Sequence, residues 1–322
     1  MMQFLTVILL CLQHTTGAAW KLPHSAFGNF ESPRGNQIPI DLENDDEIGT
    51  FGASSFAGLR TFANLPFVDC FSDQDTRGHK YDIAIFGASH DTVISGRAAA
   101  NSSVSSTPRI LTLGGDHTTT LSALRSTYRR WGPVAVIHFD SHIDTWDPAV
   151  LGGGISEYAG LNHGTFLHIA HEEHLILNNS IHAGIRAPLV RRKGDLRNDV
   201  RCGFEIVTAR DLDRLGAHGV ISKIKERVGD SKVYISVDID VLDPAYAPAT
   251  GTAEPGGWST RELLTVLDGL EGLSIVGADV VEVAPAYDNN GETTVLAAAE
   301  IAYSLIDLMV LTPVRSKADD DT

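Results

Sequence analysis

The sequence has little that could staple a fold, cross a membrane or hold a polyanion. Three cysteines in 322 residues exclude a scaffold built on several disulfides. Cys11 falls in an apolar N-terminal run, which leaves Cys70 and Cys202 either to pair or to stay free thiols. Lys and Arg number 25 against 41 Asp and Glu, a formal net charge of -16. That excess repels nucleic acid and anionic lipid headgroups and favours cationic ligands. From residue 81 onward there is no internal repeat and no Pro-rich linker, so nothing divides that region into two domains. The apolar run Phe4-Leu5-Thr6-Val7-Ile8-Leu9-Leu10-Cys11-Leu12 is too short to span a bilayer as a helix. With Gly17, Ala18 and Ala19 behind it, the run fits a signal peptide over residues 1–19. It predicts the secretory pathway, an extracellular or vacuolar destination, and no membrane contact after removal. No Lys or Arg precedes the run, and a buried N-terminal element is the competing reading.

What the sequence does have is alternation. Residues 20–80, rich in Gly, Pro, Asn and Asp with an acidic stretch at 41–47, read as an N-terminal arm, and residues 313–322 as an acidic tail. Between them, short apolar runs at 82–86, 110–113, 134–139, 233–237 and 274–278 look like strands buried on both faces. Helical patterns separate them at 118–131, 211–228, 259–270 and 293–310, the third opening on a Ser259-Thr260-Arg261-Glu262 capping box. Strands alternating with helices imply a mainly parallel sheet, hence one three-layer α/β domain over residues 81–312.

Three polar clusters each follow one of those apolar runs: Gly114-Gly115-Asp116-His117, Asp140-Ser141-His142-Ile143-Asp144 and Asp238-Ile239-Asp240-Val241-Leu242-Asp243-Pro244. In parallel α/β sheets ligands bind beyond the carboxyl ends of the strands, so the three clusters are expected on one rim. If the strands extend through them, a side-chain period of two points Asp140, His142 and Asp144 one way, and Asp238 and Asp240 likewise. Each of these residues alone is more ordinary as a cap or turn residue. Together, two histidines and four carboxylates suit divalent cations, and so many acids in one place call for a dinuclear site. Carboxylate-rich N/O coordination favours manganese over structural zinc. Two separate sites or a calcium site stay open, although histidine is a poor calcium ligand.

With these motifs the chain resembles the ureohydrolase family of arginases, agmatinases, guanidinobutyrases and formiminoglutamases, over about residues 81–312. Gly114-Gly115-Asp116-His117 matches the family's GGDH. Asp140 to Asp144 matches its DAHxD with Ser141 replacing Ala, and Ser236 to Pro244 matches its SxDxDxxDP. The resemblance implies an arginase-type αβα sandwich, a homo-oligomer, a small guanidino substrate and two manganese ions. One ion would take His117, Asp140, Asp144 and Asp238, the other Asp140, His142, Asp238 and Asp240. Asn162-His163-Gly164-Thr165 resembles the family's histidine-glycine segment and implies a proton shuttle at His163. Val281-Glu282-Val283-Ala284-Pro285 resembles its ExxP segment and implies a guanidinium anchor at Glu282, chemistry that a carboxylate suits because it accepts two parallel N–H bonds from a planar guanidinium. Asp144 or His163 would protonate the departing amine.

The chain also departs from the family. Between Ile85 and Ile110 it lacks about one βα unit, on the order of 30 to 50 residues. The loss predicts a missing edge strand with its covering helix and part of the substrate-loop wall. Asp144-Thr145-Trp146-Asp147 and the His163 segment resemble agmatinases and guanidinobutyrases more than arginases. A substrate amine tail would seek Asp147 or Glu157, and a carboxylate tail would seek Arg97 or Arg186. The expected reaction is hydrolysis of agmatine to urea and putrescine. The alternatives are 4-guanidinobutanoate as substrate, or a secreted metal-binding protein that has lost turnover.

Overall fold

The computed structural model describes residues 83–87, 109–152 and 157–314. The arm, the tail, Cys70, Arg97 and the presumed signal peptide lie outside the described residues. Seven strands form one sheet: β1 (Ile83–Gly87), β2 (Arg109–Leu113), β3 (Ala135–Phe139), β4 (Ser180–Ile185), β5 (Phe204–Thr208), β6 (Lys232–Asp238) and β7 (Ser274–Val281). Their order is β1-β2-β7-β6-β3-β4-β5, and every pairing is parallel. All carboxyl ends therefore open on one rim, as the alternation predicts. At one margin β1 pairs with β2 and has no second strand neighbour among the described residues.

The helices are α1 (Thr119–Trp131), α2 (Phe166–Glu172), α3 (Arg192–Arg201), α4 (Asp211–Val228), α5 (Thr260–Asp268) and α6 (Thr293–Leu311), with a single turn at Glu157–Gly160. On α1, Leu121 and Leu124 are buried on one side, and Arg129 and Arg130 stand in the last turn where the helix dipole favours cations. Ser259 Oγ accepts from Glu262 N–H while the Glu262 carboxylate accepts from Ser259 N–H, so the capping box starts α5 as its sequence implies. Helix α4 is broken at Gly216, whose φ of 66° lies where side chains are disfavoured. Helix α6 is long and apolar enough to cross a bilayer, yet 56% of it is buried in the protein. Its Val295, Ile301 and Leu305 belong to the core.

Because strand side chains alternate, each central strand serves two layers. Ala135, Ile137 and Phe139 of β3 and Val233, Ile235 and Val237 of β6 meet the apolar sides of α4, α5 and α6. Val136 and Tyr234 point the other way, into a smaller core with Leu121 and Leu124 of α1 and Phe166 and Leu167 of α2. This is the three-layer αβα arrangement. Burying each of the Val, Leu, Ile and Phe side chains among these contributes roughly 1.5 to 3 kcal/mol.

Two strands escape the apolar-run criterion. Strand β4 reads Ser-Ile-His-Ala-Gly-Ile, and its buried polar residues break any continuous run. Gly184 within it has φ 105°, and a Cβ there would lie 2.5 Å from Val241 and 3.0 Å from the Asp140 carbonyl. Only glycine lets β4 lie that close to the start of the Asp140 segment. Strand β5, at the margin of the sheet, is only half buried along its length.

Candidate metal centre

Strand β2 is followed by Gly114 and Gly115, and Asp116 turns back to accept from Thr118 N–H at 2.9 Å. That turn leaves His117 pointing inward beneath the rim. The Ser236 hydroxyl donates to Asp279 Oδ1 at 2.7 Å, so it accepts from His117 Nε2–H at 2.9 Å. Asp279 Oδ2 takes two further donors, Tyr234 OH at 2.8 Å and Thr120 Oγ1 at 2.7 Å. This buried network commits Nε2 and turns Nδ1 toward three carboxylates, Asp144 at 3.1 Å, Asp238 at 3.2 Å and Asp140 at 3.3 Å. His117 Nδ1 and Asp140 Oδ2 are buried without a hydrogen-bond partner.

On the second side, His142 Nδ1 lies 3.0 Å from Asp240 Oδ2 and 3.3 Å from Asp140 Oδ1. Asp240 Oδ1 accepts from Ser141 N–H at 3.0 Å, its Oδ2 from Thr252 Oγ1 at 3.2 Å, and Asp240 N–H donates to Asp238 Oδ1 at 2.8 Å. Two donor groups result, each tight enough for one cation: His117, His138, Asp140 and Asp144, and Asp140, His142 and Asp240. Asp140 is common to both. Five of the six ligands expected from the motifs fall in these groups, and the sixth, Asp238, stands 3.2 Å from His117 Nδ1, but they converge for a different geometric reason from the one expected. Strand β3 stops at Phe139 and β6 at Asp238. Asp240 is brought round by a 3-10 turn, Ile239–Val241, and Asp144 by a left-handed φ of 51°. Turns gather these side chains where strand alternation was predicted to do so.

The electrostatics of the cluster fit cations. Burial and the Asp140 charge hold the Asp144 carboxyl up at about 8. Burial, with Asp240 and Asp140 nearby, raises Asp238 well above the ordinary range, and burial with Asp140 raises Asp240. Burial opposes charge on His142, yet Asp140 and Asp240 push it up to about 11. Burial works against His117 in the same way, and its three carboxylate partners raise it well above its usual value. Asp140 would be raised by burial, but His138, His117 and His142 hold it well below the carboxylate range. Three of the four carboxylates, Asp144, Asp238 and Asp240, are pushed toward their protonated forms, and a divalent cation at His117 Nδ1 and the partnerless Asp140 Oδ2 would replace those protons. The donor set therefore suits two hard or borderline cations.

Glu282, at the end of β7, also has a left-handed φ, 61°, and its Oε1 accepts from His117 N–H at 2.6 Å. Burial raises its carboxyl to about 7. His163 stands exposed on the loop before α2 and, among the described residues, makes no hydrogen bond or ion pair with the six ligands. That loop is nonetheless tied to the cluster segment, since Gly164 O accepts from Trp146 N–H and Asp144 O from Leu167 N–H, both at 3.1 Å. Arg186 is not open to a substrate carboxylate. Its guanidinium donates to the carbonyls of Gly184, Asp240, Val241, Leu242 and Glu254. Asp147 Oδ1 accepts from Ala149 N–H and leaves its other oxygen uncommitted to that turn. Cys202 is a buried free thiol, which burial pushes up to about 12.

One cluster residue, His138, was hidden from the sequence reading inside the apolar run of β3. Its Nε2 lies 3.1 Å from Asp140 Oδ2. Burial lowers it to about 3, so its ring is neutral. The signal was there: a histidine two positions before Asp140 shares its face of the strand.

Residues 56–307 match the arginase family. A putative agmatinase of Schizosaccharomyces pombe is 57% identical over 208 residues, which cover 64% of this chain and 52% of that protein. An agmatinase of Neisseria meningitidis serogroup C is 42% identical over 224 residues, 69% of this chain and 67% of the relative. A solved structure of a hypothetical agmatinase from Burkholderia thailandensis is similar at a TM-score of 0.55 and 39% identity, covering 62% of this chain and 59% of that one. The chain spans about half the length of the S. pombe relative.

Proposed function

The chain belongs to the arginase family, and from that premise we propose that it is a manganese-dependent amidinohydrolase that cleaves agmatine to urea and putrescine. The observation that carries this reading is the pair of donor groups sharing Asp140, with the buried Glu282 carboxylate fixed against the backbone of His117. Two ions held by His117, Asp140, His142, Asp144, Asp238 and Asp240 would supply a water acidic enough to act as nucleophile near neutral pH.

The remaining chemistry belongs to side chains. Glu282 anchors the guanidinium by charge-assisted hydrogen bonds and sets its carbon toward the rim. Asp144, buried and left-handed, holds the proton that the departing amine nitrogen needs. His163, exposed on its loop, exchanges that proton with solvent. Agmatine is favoured over 4-guanidinobutanoate because the Arg186 guanidinium is committed to backbone carbonyls, whereas Asp147 offers a carboxylate to a cationic tail. The agmatinase names of the relatives support the same choice. The family resemblance further points to a homo-oligomer.

Urea release measured with manganese and a panel of agmatine, 4-guanidinobutanoate and arginine tests the reading, and agmatine is expected to give the largest kcat/KM. No urea from any of the three, at two bound ions per chain, would leave a metal-binding protein without turnover.

A further inference from the structure

Helix α3 carries a buried carboxylate that none of the motifs singles out. Asp199 is 1% exposed, and among the described residues no Lys or Arg pairs with it. A buried carboxylate without a cation costs stability unless every lone pair is used. Its Oδ1 accepts from Thr145 Oγ1 at 2.6 Å and from His182 Nε2–H at 2.9 Å. Those two contacts are the first steps of two routes to the metal centre. Thr145 directly follows Asp144, the ligand with the left-handed backbone, and the Thr145 carbonyl also accepts from Asn198 Nδ2 of the same helix. His182 Nδ1 lies 2.8 Å from His138 Nδ1, and His138 Nε2 lies 3.1 Å from Asp140 Oδ2. His138 and His182 are fully buried.

We propose that Asp199 is a positioning residue that, through Thr145, holds Asp144 in place for the His117-side cation, the one donor group to which Asp144 belongs, while its route through His182 and His138 ends on Asp140, which both cations share. The inference rests on the two-metal reading above. The asymmetry comes from the contacts themselves. Supports of His142 and Asp240 are Ser141, Thr252 and the Asp238 carboxylate, all within the rim segments. Outer contacts of metal ligands typically contribute 10- to 100-fold in affinity. A residue that only anchored α3 would shift both ions together or neither.

Asp195 supplies the comparison. It sits on the same helix at 2% exposure and accepts from Trp146 Nε1 at 3.1 Å and Arg191 N–H at 2.6 Å, touching no ligand side chain. Manganese titration of the full chain, followed by calorimetry and by the spin-resonance signal of free manganese, is the test. Wild type should bind two ions. Asp199→Asn should weaken one ion about 10- to 100-fold and the other by less, through the shared Asp140, and Asp195→Asn should leave both in the wild-type range. Equal affinities in Asp199→Asn and wild type would overturn the proposal, as would an equal weakening of both ions. If Asp199→Asn does not fold, Thr145→Val and His182→Gln each cut one route: Thr145→Val should weaken one ion only, and His182→Gln, which acts on the shared Asp140, should weaken both. Wild-type affinities for both ions in those two variants would overturn it as well. A wild type that binds fewer than two ions defeats the underlying metal reading, a failure seen before any variant is compared.

Discussion

The two faces of the sheet are built on opposite principles. Toward α4, α5 and α6 the strands present Ala135, Ile137, Phe139, Val233, Ile235 and Val237. Toward α1, α2 and α3 the same strands bury His138, His182, Tyr234, Ser236 and Asp279, nearly all in mutual hydrogen bonds. The apolar face tolerates repacking and loses stability in proportion to volume removed. The polar face has few adjustable parts, because each buried donor or acceptor is expensive to strand. Stability is concentrated on one side of the sheet and chemistry on the other.

Substitutions on each side should break that division most clearly. Asp238→Ala deletes a carboxylate 3.2 Å from His117 Nδ1 that also fixes Asp240 N–H. It is expected to lose bound manganese and urea production together while the chain stays folded, read by metal analysis and circular dichroism. Ile224→Ala, on the apolar side, should cost about 2 to 5 kcal/mol of unfolding free energy with kcat unchanged. If Ile224→Ala abolishes turnover in folded protein, the two faces are not separable.

The substrate side should respond less steeply. Glu282→Ala removes the proposed guanidinium anchor, so kcat/KM should fall by on the order of 2 to 4 kcal/mol, about 30- to 1000-fold, mainly through KM. His163→Asn should lower kcat by roughly 10²-fold or less, with partial recovery on adding imidazole, since solvent reaches that loop. Wild-type kinetics in both variants would show that the substrate does not meet this side of the centre.

The smallest effect sharpens the comparison through pH. With Asp144 at about 8 and Asp238 and Asp240 raised, the metal-free folded chain keeps protons that an unfolded chain releases above ~4. His142 at about 11 and the raised His117 act with the same sign above ~6.5. Unfolding free energy in a chelator should therefore fall as pH rises from ~4 to ~8, and excess manganese should flatten that slope by displacing the protons. Asp140, held low, works the other way below ~4, and His138, lowered to about 3, does so up to ~6.5, against the three raised carboxylates. Denaturant midpoints at pH 5 and 8, with chelator and with manganese, measure it. A midpoint that rises with pH in chelator would contradict the cluster's electrostatics.

Much of this was legible in the sequence, for a physical reason. The central strands are buried on both faces, and such strands must be written as apolar runs, so β2, β3, β6 and β7 stand out. Strand β4 does not, because Ser180 and His182 are buried with partners that lie far away in sequence, Val136 N–H and Asp199. Helix α3, Arg-Lys-Gly-Asp-Leu-Arg-Asn-Asp-Val-Arg, carries no apolar stripe, and its buried side is made of Asp195 and Asp199. The six ligands were legible because they crowd together after strand ends. Asp279, Asp199 and His138 stand singly among unrelated neighbours, and a lone polar residue in a run does not announce its partner. Nor does sequence reveal the positive φ of Asp144 and Glu282, which the surrounding hydrogen bonds impose.

Arg186 has a last consequence. For the guanidino substrate proposed above, any guanidinium group of the chain itself that could reach Glu282 would compete inside the same molecule. Arg186 lies beside the Asp240 backbone, yet its Nε and both terminal nitrogens already donate to carbonyls from three separate stretches of chain. The group is tied off as a knot between β4, the end of β6 and Glu254, so the same chemistry that would make it a self-inhibitor instead closes the rim.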